Sequence, residues 1–122
     1  MNVTLLQLTR AVPALQTISR LKLRPNPSFW LARVIQAVQG QLRTLEYRRI
    51  ELVKEYGVEQ TDQGWKVDPE DIEKSAQFDK ELQELLDTEV ELDVPQRPVS
   101  YLGEMVEIEP AVLGELLFLF TE

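Results

Sequence analysis

Three groups of carboxylates are the residues whose type and spacing come nearest to a catalytic or metal-binding pattern. Glu89, Glu91 and Asp93 alternate with Val90, Leu92 and Val94. On an extended strand, successive members of that set stand about 6–7 Å apart on one face, a separation comparable to that of paired glycosidase acids. Such pairs flank a pocket. Here the other strand face is apolar, so the three acids read as the solvated side of a half-buried strand. Asp68, Glu70, Asp71 and Glu73 form the second group, which the favourable field at a helix start explains. Glu104, Glu107 and Glu109 offer hard oxygen ligands, but the calcium-loop spacing is missing, with its central glycine and closing glutamate.

The 122 residues include neither Cys nor His. That excludes thiol nucleophiles, Cys/His zinc sites, thiolate-held iron–sulfur clusters and histidine acid–base chemistry. Neither the phosphate-loop motif nor the dinucleotide fingerprint occurs. A metal held by carboxylates alone stays formally open. No catalytic, cofactor-binding or metal-ligating set is expected, and the chain reads as a non-enzyme.

Charge is divided along the chain. Residues 1–56 hold nine Lys/Arg and three carboxylates, residues 57–122 four and eighteen, within a net charge of −8. Arg43, Arg48 and Lys54 form a candidate basic surface. Glu46, Glu51 and Glu55 interleave with them, as ordinary helical charge pairing would have it, and Arg49 falls within an apolar seam. A nucleic-acid-binding module using this half is therefore an alternative rather than the favoured reading. The acidic half suggests a second alternative, a nucleic-acid mimic that regulates a host or viral protein. Tyr47, Trp65, Phe78, Tyr101, Phe118 and Phe120 do not alternate with cations as a base-stacking platform would, and core packing is the simpler account of most of them.

The elements that must position these side chains are mainly helices. Thr4 and Gln7 make a capping box, and Leu5, Leu8, Val12, Leu15, Ile18 and Leu21 predict a helix over 4–21, kinked at Pro13. Asn26 and Pro27 predict the start of a second helix. Leu31, Ile35, Val38, Leu42, Leu45, Arg49, Leu52 and Tyr56 alternate spacings of four and three. Trp30, Val34, Ile50 and Val53 widen that seam, and Gly57 ends it. Val58–Gln60 and Trp65–Val67 flank a polar turn and predict a hairpin.

Asp68 and Pro69 predict a third helix reaching about residue 87, with Ala76, Leu82 and Leu86 facing inward. The strand around Val90–Val94 follows, with Met105, Val106 and Ile108 as a possible second strand. Pro110 opens a last helix carrying a dense apolar patch from Val112 to Phe120. The expected class is α+β, mainly helical, in a single domain over 1–122. It consists of long antiparallel helices, a short β-hairpin or small antiparallel sheet, and a C-terminal helix. No run reaches the roughly 20 apolar residues of a membrane span, and the first ten residues lack the basic leader of a signal peptide. The Asn2-Val3-Thr4 glycosylation pattern is read as coincidence.

Leu116–Phe120 places five apolar side chains in succession, more than one helix face can bury. The run is expected either to fill a groove between the earlier helices, the favoured reading, or to dock on another subunit, with Leu113, Leu116, Leu117 and Phe120 as the candidate interface and Leu117 and Phe120 expected on nearly the same side. The segments 45–57 (LEYRRIELVKEYG) and 78–94 (FDKELQELLDTEVELDV) resemble a family of small uncharacterised bacteriophage proteins, as does the order of elements. The resemblance implies a setting in an infected bacterial cytoplasm or a virion, and brings no catalytic residues with it. The expected role is a phage-associated protein-interaction or virion-assembly subunit, bound to a protein partner or to itself, without cofactor and away from membranes.

Overall fold

The computed structural model describes residues 1–60, 64–68, 70–103 and 106–121, without the side chains of 58–60 and 65. The chain runs β1 (Asn2–Thr4), α1 (Leu5–Ile18), α2 (Pro25–Tyr56), β2 (Val58–Gln60), β3 (Gly64–Lys66), α3 (Ile72–Leu86), β4 (Glu89–Glu91) and α4 (Pro110–Glu115), with 3-10 turns at Val99–Leu102 and Leu117–Leu119. It is mostly helical, with small antiparallel two-stranded sheets and a C-terminal helix.

Thr4 performs two jobs. Its backbone closes β1, while its hydroxyl accepts from the Gln7 amide at 3.1 Å and the Gln7 side chain accepts from the Thr4 amide at 2.8 Å. This is the expected capping box. Pro13 stays inside α1, which ends at Ile18 rather than Leu21.

The second helix starts at Pro25, two residues earlier than expected. Arg24, preceding a proline, is held extended at φ −62°, ψ 160°. Pro25 and Pro27 both fit the first turn, where backbone N–H groups have no helical acceptor to lose. Gly57 ends the 32-residue helix as expected, its N–H donating to Val53 O at 2.7 Å.

The third helix also starts elsewhere. Asp71 caps it, accepting from the Lys74 amide at 3.2 Å, whereas Asp68 accepts from Glu70 N in a local turn. Pro69 and the Thr61–Gln63 part of the hairpin turn lie outside the described residues. Leu82 and Leu86 are half-buried as expected, but Ala76 is exposed.

The strand of alternating acids pairs with the chain's own beginning, Val3 opposite Val90. The Leu92 N–H extends the ladder to Met1 O at 3.0 Å. The anticipated pairing with residues 105–108 does not form at Val106 and Ile108, which are irregular, and Met105 lies outside the described residues.

The core gathers Leu5, Leu8, Leu15 and Ile18 of α1, Trp30, Leu31, Val34 and Val38 of α2, and Leu92, Leu102, Leu116, Leu119 and Phe120 from the second half. Trp30 is its hinge. Its indole donates to Pro95 O at 2.7 Å, Tyr101 meets it edge-on at 5.9 Å, and Phe120 lies 6.0 Å away. Arg97 caps the cluster, its guanidinium 5.3 Å from the Tyr101 ring centroid.

Candidate interaction surfaces

The C-terminal apolar run divides between core and surface. Helix α4 ends at Glu115, and the tighter turn that follows advances each side chain by about 120° instead of about 100°. Leu116, Leu119 and Phe120 enter the core, Leu113 is half-buried, and Leu117 is left 57% exposed. The tail is then fastened by backbone bonds: Arg97 N to Leu119 O at 3.2 Å and Thr121 N to Arg97 O at 3.1 Å. The Gln96 side-chain amide adds a bond to Phe118 O at 2.8 Å. Leu117 and Phe120 therefore do not share a side, because the backbone turns extended at Phe120. Of the four candidate interface residues, Leu117 alone presents most of its surface to solvent.

The candidate basic surface is real as exposure but altered in membership. Arg43, Arg48 and Lys54 are all exposed. Arg48, however, is tied to Glu51 one turn on. Arg49, expected in the apolar seam, swings out and forms a two-pronged pair with Glu46, one prong at 2.9 Å. Hydrogen bonding to Arg49 holds the Glu46 carboxyl below its ordinary pKa, against a small opposing cost of burial. These pairs neutralise two of the cations on this half of α2.

What the apolar seam concealed is a second series on the opposite face of the same helix. Phe29, Arg33, Gln36, Gly40, Arg43, Tyr47, Ile50 and Lys54 follow one another at spacings of four and three, and every one is exposed. At about 100° per residue they lie half a turn from Leu31, Val38, Leu45 and Leu52, which face the core. The series spans about 37 Å of helix at about 1.5 Å per residue. Phe29 is 69% and Tyr47 66% exposed, and Ile50, expected to face inward, is 39% exposed. Exposed Glu51 falls on the same arc, four residues after Tyr47 and three before Lys54, where it pairs with Arg48. Among the described residues, Arg33, Arg43 and Lys54 have no ion-pair partner. The same alternation of four and three marks both faces in the sequence, and the seam stands out because its residues are almost all apolar.

Two grooves flank these faces. One of about 210 Å³ lies between α1 and α2, lined by Val12, Leu15, Ile35, Val38 and Leu42 together with polar Gln16, Ser19 and Gln39. The other, about 290 Å³, lies between α2 and α3 and is lined by Arg48, Leu52, Glu55, Glu81, Glu84, Leu85 and Thr88. Near it, hydrogen bonding to Glu81 leads the causes that raise the Tyr56 phenol above its ordinary pKa, followed by burial and the charges of Glu55 and Glu81. The Glu81 Oε2 atom itself is buried with no hydrogen-bond partner among the described residues.

Glu89, Glu91 and Asp93 are exposed, as a solvated strand face should be. Among the described residues, no three acids are gathered closely enough to hold a metal ion, and no helix is long and apolar enough to cross a membrane. No protein-family model, curated protein or solved structure matches this chain.

Proposed function

We propose that this protein is a non-catalytic interaction subunit that serves in the assembly of a bacterial virus and meets its partner through the outward face of α2. The observation that carries the reading is the exposed series on that helix, where Phe29, Tyr47 and Ile50 stand among Arg33, Arg43 and Lys54. Large exposed apolar side chains rimmed by charge are the composition of a binding face, with aromatic and arginine residues as its usual anchors. The viral setting rests on the likeness of residues 45–57 and 78–94 to small phage proteins.

A photo-cross-linking residue placed at Tyr47 in the full chain tests this during infection. The expected result is a discrete adduct whose mass adds one protein of the assembling particle, with none from the same residue placed at exposed Thr17 on α1. Equal, diffuse labelling from both positions contradicts the reading.

A further inference from the structure

The outward face of α2 needs an occupant that brings negative charge and its own apolar anchor, and the chain carries such a surface itself. Residues 68–93 contain eleven carboxylates and two lysines. Of those carboxylates, all but Glu81 are exposed, distributed over the start and outer side of α3, its end, and the wet face of β4. At the start of α3, Ile72 is 79% exposed, the most exposed large apolar side chain among the described residues. The two surfaces thus have matching parts: on one, Tyr47 and Ile50 beside Arg43 and Lys54, which have no ion-pair partner among the described residues, and on the other, Ile72, at the edge of the groove it shares with Tyr56, near exposed Asp71, Glu73 and Asp79.

They cannot meet within one molecule. Helix α3 packs on α2 beside Arg48, Leu52 and Glu55, and its start borders Tyr56 at the end of α2, whereas the cationic series runs along a different side of α2. We infer that the outward face of α2 in one copy docks on the acidic α3–β4 face of the next, a head-to-tail contact between two copies of this chain. This inference rests on the interaction role proposed above and names the partner as the chain itself.

Such a contact is heterologous: it uses two different patches, leaves one free at each end, and extends into a ring or filament. Nucleic acid is the poorer occupant. The free cations Arg33, Arg43 and Lys54 stand about 15 Å apart along the helix, whereas duplex phosphates on one strand follow each other several times more closely.

The test is sedimentation of the full chain and two charge-reversed variants, R43E/K54E and E73K/D87K. All four side chains are exposed, so each variant is expected to keep the wild-type circular dichroism, with E73K/D87K melting slightly lower because Glu73 favours the start of α3 and Asp87 accepts from the Gln83 side chain. Wild type should form species larger than a dimer at low salt, with association weakened about tenfold or more near 0.5 M salt, where the screening length falls to a few ångström. Each variant alone should be monomeric. Mixed, they should associate again, because the intact acidic face of R43E/K54E meets the intact cationic face of E73K/D87K. Wild type that stays monomeric at low salt, or variants that fail to combine, overturn the inference. Binding of random-sequence DNA that R43E/K54E abolishes, with no self-association, overturns it in favour of nucleic acid. A monomeric wild type that still cross-links from Tyr47 to another viral protein sinks self-docking alone, while absence of both sinks the interaction role as well.

Discussion

The indole N–H of Trp30 donates to the carbonyl oxygen of Pro95 at 2.7 Å, joining the start of the long helix to the loop that follows β4. The bond connects positions sixty-five residues apart, and Trp30 is almost wholly buried. It fixes the end of α2 from which the exposed series begins.

Trp30→Phe should therefore destabilise the fold by about 1–3 kcal/mol, since the Pro95 carbonyl loses its donor while the aromatic packing largely survives. Urea unfolding measures it. A change below about 0.5 kcal/mol would mean that the bond is dispensable.

Leu116 and Leu117 are neighbours with opposite fates, one fully buried and the other mostly exposed. Leu116→Ala should cost about 2–5 kcal/mol, and Leu117→Ala less than about 0.5 kcal/mol. Equal losses at the two positions would contradict the division of the C-terminal run into core and surface. A double change at Leu117 and Phe120 would confound the two, because Phe120 belongs to the core.

Gly57 is required by space rather than by its dihedral, since its φ of −104° suits any residue. A Cβ there would overlap the Val53 carbonyl oxygen and lie 2.7 Å from that of Lys66, both backbone atoms. Gly57→Ala should lower stability by about 1–3 kcal/mol. A neutral or stabilising effect in a thermal melt would show that the α2–β3 junction relaxes freely.

The raised pKa of the Tyr56 phenol makes a signed pH prediction. Because the folded chain keeps this proton to a higher pH than the ordinary 10.0, its contribution is present below about pH 10 and lost as pH rises through the folded value. Tyr56→Phe should lower stability slightly at neutral pH and flatten part of the alkaline decline, bringing the two chains closer together above pH 10. An ultraviolet titration in which all the tyrosines of the folded wild type ionise together, at the ordinary value, would contradict the raised pKa.

Local signals carried much of this fold. The Thr4–Gln7 capping box, the α2 seam, the Gly57 stop and the Pro110 start are each settled by neighbouring residues, and each stands in the structure. Strand β1 was not legible, because three residues are too few to show alternation and Thr4 serves the helix as well. Its pairing with β4 depends on a closure of the chain that no local pattern encodes. The split of the C-terminal run was hidden for a related reason: a change from α to 3-10 geometry after Glu115 rotates every later side chain. Core packing does not account for Tyr47, which is exposed, and its spacing from Arg43 and Ile50 places it opposite the seam.

The central claim is that the outward face of α2 is built for binding and contributes little to folding. Tyr47→Ser/Ile50→Ser in the full chain separates those roles, with a thermal melt and an affinity measurement against the partner, or the chain itself, on the same sample. The account predicts a melting curve within about 1 kcal/mol of wild type and binding weakened at least about tenfold, or about 1.4 kcal/mol. A variant that stays folded and keeps its full affinity would contradict the account, as would one that unfolds.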